Sequence, residues 1–393
     1  MQLKIVGFLL LLASWSGLLL AQAPDSTRRD PVEIDLLLSY YSQDGDNAAV
    51  TGGIGTQELK DYSSKILIHI PIDSTSDLDI TSGISHYTSA STDRIDFRMS
   101  SASAADNRGQ MYFTYNRKPK PKSRSVWGIS AGASLESDYF SSGLGLSWST
   151  ITKSGNRSWT ISSQLLLDRW IMIFPDEVRD RAHLVLTTDK RRAFNLSVNM
   201  AQVINKRLQV SINADPGVQW GLLSTPFHRV YFHNDSVGIE VLPERRFRFP
   251  VGVRANYFLN DYVVLRGGYR YFIDDQGLSA HTISMEVPVK FGTVLSIYPA
   301  YRFYTQTANN FFLPFGLHDP AVRFHTSDFD LSAFHSHRYS VGVRFSPLGV
   351  LGIPRLPADA RLQFRQMSAQ VAWYLRSDGL RAFIVSSNFS FSF

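Results

Sequence analysis

Eight cations recur on one parity across the C-terminal part of the sequence: Arg248, Arg254, Arg266, Arg270, Lys290, Arg302, Arg338 and Arg344, with Glu286 among them. In extended chain, residues of one parity share a face. If their strands are neighbours, these side chains make a basic wall. A ring of fixed positive charge in an enclosed channel lowers the barrier to anions. The competing reading is neutralisation by acids on loops or on the opposite wall, because enclosed charges are normally paired.

Histidine offers a second chemistry. His335 and His337 lie two apart, on one side of an extended segment, and His325 precedes them by ten. Two imidazoles can begin a metal site, and Asp328 or Asp330 could supply a carboxylate. A loop pair alone does not complete one, so no metal is assigned. Asp44-Gly45-Asp46-Asn47 has oxygen ligands of the kind calcium takes, but lacks the glycine and distant glutamate of a calcium loop. Thr51 to Gly55 is rich in glycine, yet it follows a strand and precedes no helix, which excludes a phosphate cradle. There is no His-Glu-x-x-His motif. No catalytic set and no cofactor are assigned, and the sequence does not read as an enzyme.

The elements that would carry these residues are strands. The period is clearest in Arg381 to Phe393, where Phe383, Val385, Phe389, Phe391 and Phe393 alternate with Ser386, Asn388, Ser390 and Ser392. Working back, the same two-residue period recurs about sixteen times, with fourteen to eighteen open. It predicts strands over 32–42, 65–72, 77–87, 110–116, 126–135, 139–152, 158–167, 193–202 and 208–214, then six more in 247–375 before the last. In the fifth, Gly128, Ser130, Gly132 and Ser134 form a narrow wet face suited to a barrel interior. Long connections (43–60, 90–109, 168–192, 215–246, 307–337) alternate with turn-sized ones (74–76, 118–124, 154–156, 205–206, 260–261 and Gly292). Two odd connections, near Asp138 and at 274–277, are short, and 347–357 is long where a turn is expected. This parity is that of an even-stranded, all-β transmembrane antiparallel up-and-down barrel with long external loops and short periplasmic turns.

Residues 1–23 have the anatomy of a cleaved secretory signal: Lys4, an interrupted apolar run and an Ala21-Gln22-Ala23 exit. Residues 24–393 are read as the barrel. Beyond the signal the longest apolar run is Trp170 to Phe174, far below the roughly 20 residues of a membrane helix. There is no cysteine, hence no disulfide framework. The net charge of +6 falls to 6 − 1 = +5 without Lys4, too small on 393 residues to signal nucleic acid. Lys118-Pro119-Lys120-Pro121-Lys122 is the only basic run, and reads as a solvated turn or a dock for an acidic periplasmic partner.

Four stretches carry a family resemblance: residues 40–46 running on to 50–59, 221–232, 301–308 and 327–334. Through them the chain resembles the uncharacterised outer-membrane β-barrel family called domain of unknown function 3570, of Bacteroidetes and other Gram-negative bacteria. The resemblance implies fold and outer-membrane location and brings no catalytic residues; the family's neighbouring genes hint at lipoproteins and redox or flavin-transfer proteins. The terminal Phe389, Phe391 and Phe393 resemble the strand that barrel-insertion machinery reads. The expected function is porin-like or transporter-like passage of a small, anionic or amphipathic solute. The alternative is a structural barrel scaffolding a periplasmic lipoprotein or redox partner, with a rim enzyme a third reading.

Overall fold

Two-residue alternation becomes sixteen strands in the computed structural model, which describes residues 31–88, 105–178, 187–347 and 363–393. The first eight are β1 (Glu33–Asp44), β2 (Leu59–Pro71), β3 (Ser76–Tyr87), β4 (Asp106–Arg117), β5 (Ser125–Leu135), β6 (Tyr139–Ile151), β7 (Arg157–Ile171) and β8 (Thr188–Val203). Three of the second eight are broken in two: β9 (Leu208–Ala214 and Gly217–Gly221), β10 (Arg245–Arg248 and Val251–Phe258) and β12 (Ser279–Glu286 and Val289–Phe291). The others are β11 (Val264–Ile273), β13 (Leu295–Gln306), β14 (Phe334–Phe345), β15 (Gln363–Arg376) and β16 (Arg381–Ser392). Each break falls at a proline, Pro216, Pro250 or Pro288, which has no N–H to give the ladder.

Every strand pairs antiparallel with its sequence neighbours, and β16 pairs back onto β1, from Glu33 opposite Ser392 to Asp44 opposite Arg381. Val32 and Phe393 exchange N–H···O bonds of 3.0 and 2.8 Å at the foot of this seam. The sheet therefore closes, and closure leaves no edge with unpaired backbone groups. Sixteen was the count expected from alternation. The strands run further than the alternation does: β7 extends to Ile171 and β8 starts at Thr188, so the connection between them is shorter than 168–192. The signal segment 1–23 lies outside the described residues, as does 347–357 beyond its first residue.

The faces divide as the period requires. Outward side chains stay exposed although apolar, among them Trp127, Ile129, Leu144, Leu146, Ile283, Met285, Tyr339, Val341 and Trp373. Leu146 retains 61% of its surface. A wall of such residues is stable only against something as apolar as itself, each moving from water to hydrocarbon with a gain of about 2 kcal/mol.

On the inner face, small residues of β5 and β6 leave room for longer ones beside them. A Cβ at Gly132 would lie 2.3 Å from the Tyr112 ring and 2.4 Å from the Met111 carbonyl oxygen. The carbonyl cannot yield. Gly132→Leu is therefore expected to cut the yield of folded, heat-modifiable barrel severely, whereas Ala131→Leu, on the outward face of the same strand, should leave it near wild type.

Candidate functional site

One rim of the barrel carries the connections 45–58, 172–187, 222–244 and 307–333, which are its first, fourth, fifth and seventh once the β3–β4 connection is counted second, with short 136–138, 274–278 and 377–380 as the third, sixth and eighth. Four of them fold into one body. Arg229, fully buried, donates from Nη1 to the Val50 carbonyl at 2.8 Å and from Nη2 to Glu177 Oε2 at 3.0 Å, tying the first, fourth and fifth rim loops. Loop 222–244 forms a ribbon, Arg229–Tyr231 against Val237–Ile239. Loop 307–333 bridges to it at Phe232 with His318 and at Val241 with His325. Most of the largest fully buried side chains among the described residues are here, including Arg229, Val230, Asn309, Thr326 and Ser327.

Gly52 and Gly53, both at positive φ, give the glycine-rich stretch its purpose. A Cβ on Gly52 would meet the Tyr231 ring at 2.6 Å, and one on Gly53 the Ser327 carbonyl at 2.8 Å. They let the first loop lie flat on the fifth and seventh. The four stretches that carry the family resemblance converge on this cap and the strand ends beneath it.

Inward side chains at the strand ends hold the cap in the mouth. Arg376 of β15 pairs with Asp330 and Asp378 and stacks on Phe334 at 4.4 Å. Gln306 of β13 donates to the Asp330 and Ser332 carbonyls at 2.9 and 2.6 Å. Gln43 of β1 donates to the Gln57 carbonyl at 2.9 Å.

Further along the lumen lie two cavities. One of about 550 Å³ is lined by Leu37, Ser39, Lys65, Gln110, Arg266, Glu286, Arg344, Gln370 and Asn388, among others. Its neighbour, of about 270 Å³, is lined by Arg254, Arg266, Arg302, Arg338, Glu286 and Gln370, among others. Four guanidiniums facing one carboxylate leave 4 − 1 = 3 positive charges around the smaller cavity. Arg266 takes Glu286 for itself, at 2.6 Å. Arg302 and Arg338 are direct cross-strand partners, and Arg338 Nε is shielded with no hydrogen-bond partner. Among the described residues no carboxylate pairs with Arg254, Arg302, Arg338 or Arg344; the last lies over the Tyr298 ring at 5.1 Å.

The remaining expected lumen residues are placed differently. Arg270 is neutralised by Asp215 at 3.1 Å, and Arg248 donates to Asn195 Oδ1 at 2.9 Å. Lys290, on the second piece of β12, lines neither cavity. So Arg266 and Arg270 each have a carboxylate partner, and Arg254, Arg302, Arg338 and Arg344 have none among the described residues. Lys65, Gln110 and Gln370 also line the cavities, and no charge pattern singled them out.

His325, His335 and His337 do not converge on a ligand set. His335 and His337, with rings 5.7 Å apart, stand on β14 facing the same way as Tyr339, and His337 Nδ1 is bonded to the Tyr301 hydroxyl at 2.8 Å. His325 is in the cap, its nitrogens against the Val322 and Ile239 carbonyls at 3.2 and 3.0 Å. The sequence placed all three in the connection 307–337; the structure starts β14 at Phe334, which puts His335 and His337 on the strand and leaves only His325 in the loop. Gly128-Ile129-Ser130-Ala131-Gly132 has the Gly-x-Ser-x-Gly spacing of a nucleophile elbow, but it runs straight through β5, where an elbow needs a strand-to-helix turn.

A further cluster went unseen in sequence. His228 and Glu240 of the fifth rim loop meet Asp328 of the seventh. Burial raises the Asp328 carboxyl to about 6, with Asp330 adding to it. Burial alone would lower the His228 pKa, but the Glu240 carboxylate outweighs it and the pKa is raised.

A family model described as Protein of unknown function (DUF3570) matches residues 19–348. No curated protein matches the chain. Among solved structures, a ferric enterobactin receptor (PfeA) mutant from Pseudomonas aeruginosa is similar with 11% identity and a TM-score of 0.48, over 89% of this chain and 54% of that one. The siderophore receptor PirA from Acinetobacter baumannii has 8% identity and a TM-score of 0.45, over 90% of this chain and 54% of that one. A bacterial polysaccharide outer membrane secretin has 9% identity and a TM-score of 0.48, over 92% and 98%. The chain thus spans about half the length of these two receptors.

Proposed function

The chain belongs to the DUF3570 family of proteins of unknown function, and on that premise we propose that it is an outer-membrane barrel admitting a small anionic solute to a basic lumen beneath a closed loop cap. Support for the membrane is the closed sheet with its exposed apolar wall. In this reading residues 1–23 direct export, Phe389, Phe391 and Phe393 present the last strand to the insertion machinery, and the cap faces outward.

The observation that carries the solute class is the set of guanidiniums around the smaller cavity. These guanidiniums are open to the water of the lumen, where unpaired fixed charge repels cations and concentrates anions, and a small anion is the counter-charge that fits a cavity of about 270 Å³. Arginine, with its planar fork, suits a carboxylate or an oxyanion such as phosphate.

The test is reversal potential in planar bilayers under a salt gradient, using the purified, heat-modifiable barrel. Anion-selective openings are expected, brief because the cap fills the mouth. Cation selectivity would refute the reading. The loop cap, held by side chains at the strand ends, also favours a second reading, a scaffold that holds a periplasmic lipoprotein or redox partner. Silence that persists when the cap is loosened would move the assignment there, and recovery of a periplasmic partner by crosslinking to the 118–124 turn would support it.

A further inference from the structure

Three groups of acids and histidines among the described residues are close enough to share a cation. In two of them most of the ligand atoms are already taken up by each other or by neighbours. In His69, Asp77 and Asp79, the imidazole Nδ1 is bonded to Asp79 Oδ1 at 2.6 Å, and Asn116 Nδ2 donates to both aspartates. In Asp106, Glu136 and Asp138, the Tyr87 hydroxyl donates to Glu136 Oε2 and Ser137 donates twice to Asp106 Oδ2.

The third differs. His228 Nδ1 is shielded from solvent and makes no hydrogen bond. It points between Glu240 Oε2, at 3.6 Å, and Asp328 Oδ2, at 4.0 Å. Both separations are too long for a hydrogen bond. Two ligands held at about 2.1 Å by one tetrahedral ion lie about 3.4 Å apart. Glu240 is near that spacing, and a small rotation of the Asp328 side chain supplies the rest.

We propose that His228, Glu240 and Asp328 bind a divalent transition-metal ion, zinc being the type case, which ties the fifth rim loop to the seventh. One imidazole and two carboxylates are ligands such ions accept. An outer shell is built around them. Glu240 Oε1 accepts from the Thr225 N–H at 2.7 Å, and Oε2 from the Thr326 hydroxyl at 2.6 Å. Asp328 Oδ1 accepts from the Asp330 N–H at 2.9 Å, which leaves Oδ2 for the ion. Such partners fix the orientation of ligands before the metal arrives. Two carboxylates and a neutral imidazole carry a charge of −2, which a dication cancels in the driest part of the molecule. The site does not depend on passage of any solute.

The test uses the full-length protein, without a polyhistidine tag, stripped with EDTA in detergent and equilibrated with zinc chloride. Bound zinc is measured after gel filtration and affinity by chelator competition; cobalt then reports tetrahedral coordination through its visible absorption. One zinc per chain is expected, unchanged in His69→Asn, where another cluster is disabled. His228→Asn and the near-isosteric Asp328→Asn should weaken it by more than about 100-fold, and Thr326→Val, an outer-shell change, by about 10-fold. Heat-modifiable mobility identifies variants whose barrel has folded. Zinc should also slow proteolysis of the wild-type cap and not that of His228→Asn. A wild type that binds no zinc, or folded His228→Asn and Asp328→Asn proteins that bind as wild type does, overturns the proposal.

Discussion

Arg302→Ser combined with Arg338→Ser is expected to lower the anion-to-cation permeability ratio by roughly tenfold while leaving the barrel folded. The two residues face each other across β13 and β14, and neither has a carboxylate partner among the described residues. At about 8 Å and an effective dielectric constant of about 20, each acts on a passing monovalent ion with about 2 kcal/mol. Mobile salt in the lumen screens part of this. If about a third of the combined effect persists, selectivity changes by roughly tenfold. Arg270→Ser is the matched control. Arg270 shares their parity but is already paired with Asp215, so its loss should shift the reversal potential far less. Equal effects from Arg270 and from the Arg302/Arg338 pair would mean that net lumen charge, not this cavity, sets selectivity.

That contrast marks what alternation can and cannot reveal. A period of two assigns Arg270 and Arg302 to the same face, and the structure agrees. It carries no information about which acid stands opposite, because Asp215 sits at the kink of β9, 55 positions away. Strand number was legible because an apolar outer wall and a polar interior force polarity to alternate along every strand of a closed barrel. Closure was legible in the same way from the pattern of Arg381 to Phe393. The cap was not. Its residues obey no period: Val50, Glu177 and Arg229 meet through loop geometry, and His228 meets Asp328 across two loops. The available sign was local and indirect, in glycines at 52 and 53 with no helix to follow.

Arg229→Ala is expected to convert brief openings into sustained conductance. Its guanidinium is fully buried and binds the Val50 carbonyl and the Glu177 carboxylate, so three rim loops lose a common tie together. Removing one partner of a fully buried ion pair typically costs about 3–5 kcal/mol; Glu177 keeps about a quarter of its side-chain surface in water and can be partly rehydrated, so the loss here falls below that range. The cap is a local unit of stability, and losses of that size fall on it before they reach the closed sheet. The barrel should therefore keep its heat-modifiable mobility while loops 45–58 and 222–244 become sites of protease cleavage on intact cells. Arg229→Ala with Glu177→Gln separates the causes: removing the orphaned charge should restore part of the protease resistance, whereas loss of the Val50 contact remains. If Arg229→Ala loosens the cap by proteolysis and the bilayer stays silent, the lumen is no passage and the scaffold reading stands. Should the cap stay resistant in Arg229→Ala, the buried arginine is not what holds the mouth closed, and the Asp330 clamp on Arg376 becomes the tie to break next.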